Sequence, residues 1–78
     1  MDNNKISKIN KIFISSLNLG RKTNLTKLRY TDKNWDSVAH MHLIAQLEKN
    51  FKITIDPEDI IDMSSYKKAL EILKRYFK

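Results

Sequence analysis

An all-α fold, a small up-and-down bundle of three main helices and one short one with a long first loop, is what this 78-residue sequence predicts. Three observations carry that expectation. Apolar residues recur at three- and four-residue steps in three separate stretches, as the buried face of a helix requires. The stretches from residue 36 onward open on residues suited to capping a helix start. The one alternating stretch, Ile53 and Ile55 with polar neighbours, has no partner strand to form a sheet with.

A chain of this length has room for one domain, residues 1–78, and one small core, burying roughly 60% of its unfolded surface. That leaves little for a catalytic pocket, so an enzyme is not expected. The chain has no cysteine, which removes disulfides and thiolate metal sites and suits the cytoplasm. No contiguous apolar run exceeds three residues, and none follows Met1-Asp2-Asn3-Asn4-Lys5. Neither a signal peptide nor a membrane span is therefore expected.

The net charge of +6 and a pI near 9.7 raise nucleic acid or an anionic surface as a partner. The distribution counts for more than the total. Residues 1–35, 36–66 and 67–78 carry net charges of +6, −4 and +4. The cations are thus divided between the two ends, and the stretch from 36 to 51, which a recognition helix would occupy, carries only Lys49. A small basic nucleic-acid-binding helical module is the alternative reading of the chain, with only weak, salt-sensitive association expected of it.

Taken in order, Ile6, Ile9, Phe13 and Leu17, flanked by Ile12, predict a first amphipathic helix with Lys5, Lys8 and Lys11 on its solvated side. Gly20, the only glycine, is expected to supply the left-handed residue that ends it. The connection that follows, 18–35, is long for a helix-to-helix link and needs anchors. Leu25, Leu28, Tyr30 and Trp35 are the candidates, the two leucines sharing one brief helical turn.

Asp36 is a good N-cap and Ser37 the first residue of the second helix, whose apolar face is Leu43, Leu47 and Phe51 with Ile44 beside them. The serine then stands at the exposed end of a well-anchored helix. An extended link leads to Asp56-Pro57-Glu58-Asp59, where a capping aspartate, a proline at the first helical position and early acids predict a short helix to about Asp62. Ile60 and Ile61 are expected to turn inward. Ser64 or Ser65 caps the last helix, with Tyr66, Ala69, Leu70, Leu73 and Phe77 as its stripe and Lys74, Arg75 and Lys78 against the negative end of its dipole.

Asp36-Ser37-Val38, the ladder Met41, Leu43-Ile44, Leu47 and Phe51, the link Phe51 to Asp59, and Ser64-Ser65-Tyr66 with Ala69, Leu70 and Leu73 together resemble the acyl carrier proteins. The resemblance covers roughly residues 36–76 and is closest to free-standing, specialised members. It implies that Ser37 carries a covalent 4'-phosphopantetheine taken from coenzyme A by a phosphopantetheinyl transferase, with Asp36 capping beside the attachment point. It implies further partners, an acyl- or aminoacyl-loading ligase and downstream transferases of lipid, polyketide or specialised metabolite biosynthesis, met through Val38, Met41, His42, Ala45 and Trp35. The carrier is expected to be a monomer, with Met41 partly exposed. In fatty-acid carriers the face after the serine is acidic, whereas here Ala39 and His42 stand there.

The residues alone do not make Ser37 a nucleophile. A hydroxyl needs an adjacent base, and His40, three residues on, has no acid to orient it. Trp35 has two readings, a cover over the core at the helix start or part of the partner surface. His40 and His42 are two apart, so a helix points them nearly oppositely and they cannot share a metal.

Overall fold

The computed structural model describes residues 2–32 and 34–77. Within them lie four α-helices: α1, Asn3–Ser16; α2, Ser37–Phe51; α3, Pro57–Asp62; and α4, Tyr66–Lys74. A single 3-10 turn, Leu25–Lys27, punctuates the long first connection. There is no strand among the described residues, only an isolated bridge between Arg29 and Ser65. No helix there is long and apolar enough to cross a membrane.

Local chemistry sets each helix start. The side chains of Asp2, Asp36 and Ser65 accept the backbone N–H groups of Lys5, Ala39 and Lys68 at 2.8, 2.8 and 3.0 Å, satisfying donors that the helix leaves free. The start of α3 differs from expectation. Pro57 stands at its first turn, but the Asp56 side chain makes no capping bond. Its backbone N–H instead donates to the Tyr76 hydroxyl at 3.0 Å.

The helix ends also correct the sequence reading. The left-handed residue after α1 is Asn18, at φ 53°, and Gly20 has no positive φ. Leu19 N–H reaches the Ile14 carbonyl at 2.9 Å and Asn18 N–H the Ser15 carbonyl at 3.4 Å. This is the Schellman pattern, which places the left-handed residue directly after the C-cap Leu17 and two residues before the glycine. Asparagine tolerates that conformation. Lys52, at φ 55°, plays the same part after α2.

One core cluster takes side chains from α1, the long loop, α2, the links and α4. Ile9, Ile12, Phe13 and Leu17 come from α1 and its cap; Leu25, Leu28 and Trp35 from the loop; Leu43, Ile44 and Leu47 from α2; Ile55 and Met63 from the links; and Tyr66, Ala69, Ile72 and Leu73 from α4. The expected loop anchors therefore hold, with Tyr30 half-buried. In α4, Ile72 is buried where Leu70 was expected to be, and Leu70 is half-buried. Ile61 does not turn inward but is 81% exposed, because α3 has only six residues and no fully buried one; Ile60 is half-buried.

Phe51 and Phe77 are half-buried and pair with each other, ring centroids 4.6 Å apart. Phe77 lies beyond the end of α4. Lys5 and Lys8 place their ammonium groups 5.5 and 5.3 Å from the Phe77 and Phe51 rings, so two of the three α1 lysines cover aromatic faces. Arg75 donates to Asp59 at 2.9 Å instead of serving only the dipole. Lys78 lies outside the described residues.

Two tyrosine hydroxyls give the fold an expected sensitivity to alkali. The Tyr66 hydroxyl donates to Asn10, joining α4 to α1, and Tyr76 donates to Asp59. Burial pushes the Tyr66 hydroxyl above its usual value of 10.0, the Asn10 bond offsetting this only in part; burial, then the Asp59 bond, pushes Tyr76 up. A raised folded-state value means that the native chain holds these protons more tightly than the unfolded one. The stability they lend is complete below about pH 10 and is lost as pH rises through the folded values. Thermal melts from pH 8 to pH 11 should show a falling limb above pH 10 that Tyr66→Phe makes shallower.

Candidate functional site at the start of α2

Ser37 is the first residue of α2 and is exposed. Its neighbour Asp36 performs the capping, so Ser37's own hydroxyl is not needed for it. Behind the serine the helix is fixed by the buried Leu43, Ile44 and Leu47. The same face packs against α1, whose Ile9, Ile12 and Phe13 belong to the same core cluster.

Beside Ser37 opens a cleft of about 360 Å³. Tyr30 from the loop, Ser37, His40 and Met41 from α2, Ile60 and Ile61 from α3, and Met63 and Ser64 from the link to α4 line it. No charged side chain is among them. The lining is largely apolar, and two of its members, Met41 at 56% and Ile61 at 81% exposure, present hydrocarbon to solvent at its edge. Val38, at 68%, and the exposed His42 and Ala45 extend the same helix surface.

His40 is the one buried polar or charged side chain among the described residues, and its bonds define its chemistry. The Trp35 indole Nε1–H donates to His40 Nδ1 at 2.9 Å. An indole can only donate, so Nδ1 is the unprotonated nitrogen and Nε2 carries the hydrogen, which it gives to the Ile60 carbonyl at 2.8 Å. Both ring nitrogens are therefore committed, and His40 has no lone pair with which to activate Ser37. The histidine ties the loop, α2 and α3 together instead. His42, two residues on, is exposed, as the helical period requires.

Of the two readings of Trp35 the structure fits the cover over the core and not the partner surface. It is 1% exposed, packs edge-on to Phe13 at 5.4 Å and Tyr30 at 6.2 Å, and stacks on His40 at 5.9 Å. Thr31, at φ 77°, donates its N–H to the Trp35 carbonyl at 2.8 Å. A β-branched residue at positive φ is costly, and the buried indole contributes a large apolar area next to it.

Of the site residues read from sequence, Ser37, Asp36, Val38, Met41, His42 and Ala45 share the exposed side of α2 and its cap. Tyr30, Ile60, Met63 and Ser64, which complete the cleft, were not among them. His40 carried a legible signal, since it precedes Leu43, Ile44 and Leu47 at the spacing of the buried face. Met63 carried none. The chain matches no protein-family model, and no curated protein matches it.

Proposed function

We propose that the chain is a carrier protein, not itself a catalyst, that holds acyl or other acid intermediates on a 4'-phosphopantetheine arm attached to Ser37. The observation that carries this reading is the exposed Ser37 hydroxyl at the first residue of a firmly packed helix, beside an apolar cleft without charge. The group fits these residues. A phosphodiester on Ser37 would stand at the N-terminus of a fifteen-residue helix, where backbone N–H groups and the dipole favour an anion. Asp36, the one acid beside it, has a carboxylate oxygen engaged by Ala39 N–H.

When bound, the arm supplies the thiol that the cysteine-free chain lacks and so carries acids as thioesters. Ser37 contributes only its oxygen; activation falls to a separate transferase, because His40 is committed to Trp35 and Ile60. The four described helices and long first connection suit the up-and-down arrangement of acyl carrier proteins. The partners in this reading are a phosphopantetheinyl transferase, a loading ligase and downstream transferases in the cytoplasm, acting on a monomer. Incubation with coenzyme A and a broad-specificity transferase, followed by mass analysis of peptides, tests the attachment at Ser37.

Partner contact runs through the apolar edge of the cleft. Met41→Glu is expected to leave helicity within experimental error of wild type, since an exposed substitution changes stability by about 0.5 kcal/mol or less. Loading or transfer should nonetheless fall, because a charge then stands where apolar contact is made. Unfolding of the variant by circular dichroism, or unchanged transfer, would count against this surface.

A further inference from the structure

We infer that the cleft where the long loop meets the start of α4 is the surface on which the enzyme that modifies Ser37 docks, and that this enzyme presents an acidic area to it. The inference rests on the carrier reading and adds the charge of the partner. Lys27, Arg29 and Lys67, which come from the two separate basic ends of the sequence, line one cleft of about 550 Å³. Backbone bonds bring them together. Tyr30 N–H donates to the Ser64 carbonyl at 2.8 Å, Tyr66 N–H donates to the Leu28 carbonyl at 3.0 Å, and Arg29 bridges Ser65 between them.

All three cations are exposed, and the only ion pair among the described residues is Arg75 with Asp59. The single acid on this cleft, Asp32, has its Oδ2 engaged by the Arg29 backbone N–H at 3.0 Å. Three cations against this one acid leave the cleft with an excess of positive charge. It adjoins the site at Ser37 through the same junction: Tyr30 and Ser64 line the Ser37 cleft, and their chain neighbours Arg29 and Ser65 line the basic one. A standard interface covers roughly 800 Å² of each partner. A contact of that size around Ser37 has the basic cleft as its immediate neighbour, since the two clefts meet at residues 29–30 and 64–65.

The outward side of α2 offers a basic partner no comparable attraction. Val38, Met41, His42 and Ala45 are exposed there, and residues 36–51 carry only Asp36 and Glu48 against Lys49, a net charge of −1. The exposed acids Glu58 and Asp62 lie on α3. The two signs on either element orient a partner whose own acidic area faces the loop and α4. Such rim charges act chiefly on encounter and on salt dependence.

The test is the rate at which the host's own phosphopantetheinyl transferase modifies Ser37 in the full chain, at low and at physiological salt. Arg29→Glu with Lys67→Glu should lower kcat/KM by about tenfold at low salt, mainly through KM, with the gap narrowing as salt rises. Lys11→Glu with Lys22→Glu, an equal change of charge at other exposed positions, should change it less than about twofold. If charge reversal disturbs the fold by circular dichroism, Arg29→Gln with Lys67→Gln should give a smaller loss in the same direction. Equal loss in both reversed pairs, or none in the Arg29 and Lys67 pair while wild type is modified, overturns the docking surface and leaves the carrier reading standing. No modification of folded wild type overturns both. Tight binding of a short duplex DNA at physiological salt that the Arg29 and Lys67 pair abolishes, with transfer unchanged, assigns the cleft to nucleic acid and also overturns the inference.

Discussion

Replacing Trp35 by alanine is expected to leave the chain largely unfolded at room temperature. The side chain is almost wholly buried and contacts Phe13, Tyr30 and His40. Truncating a buried aromatic of this size costs about 3 to 5 kcal/mol. Removing the indole donor also orphans His40 Nδ1 inside the core, at about 1 to 3 kcal/mol more. At 0.05 to 0.15 kcal/mol per residue, a 78-residue chain has roughly 4 to 12 kcal/mol in total. Urea melts followed by circular dichroism measure the loss. Trp35→Phe, which keeps most of the packing but not the donor, should lose only part of it. A Trp35→Ala variant as stable as wild type would refute the assignment of Trp35 to the core.

Ser37→Ala is expected to do the opposite: it should keep the fold and lose all modification. The alanine removes one exposed hydroxyl from a helix already capped by Asp36, so the change in stability is about 0.5 kcal/mol or less. Leu47→Ala is the matched contrast. That leucine is fully buried, and its truncation should cost about 2 to 5 kcal/mol while leaving Ser37 chemically intact. Denaturation curves and transferase assays on the two variants should therefore diverge, one folded and unmodifiable, the other destabilised but with its hydroxyl in place. Modification of Ser37→Ala, or its unfolding, would break that separation.

The parts of the fold that were legible in the sequence are those governed by local chemistry. Asp36 and Ser65 cap because each side chain reaches an N–H three residues ahead, and the Leu43, Ile44 and Leu47 face follows from period alone. What was not legible depends on contacts between distant residues. His40 reads as a polar helix residue until Trp35 and Ile60 arrive at its two nitrogens from other elements. Trp35 had two readings because sequence does not say which way a loop folds over the core. Met63, in a link without periodicity, was not foreseen as buried. Ile61 was misassigned because a six-residue helix has too little surface to bury both members of an isoleucine pair.

The same distinction explains the charges. Cations that the sequence separates into two terminal blocks meet in one cleft because Tyr30 and Tyr66 bond across the loop and the start of α4. At the candidate site, the serine, its cap and the exposed Met41 were visible from one stretch of chain. The cleft beside them was not, since Tyr30, Ile60 and Met63 come from three other segments.

The most direct test of the central claim is the intact mass of the chain produced in its own host, with peptide mapping of the region around Ser37. The account predicts a population heavier by one phosphopantetheinyl group, or by that group and its cargo, with the added mass on Ser37 and absent from Ser37→Ala. A folded chain that stays at its unmodified mass in that host, and also after incubation with several transferases and coenzyme A, would contradict it.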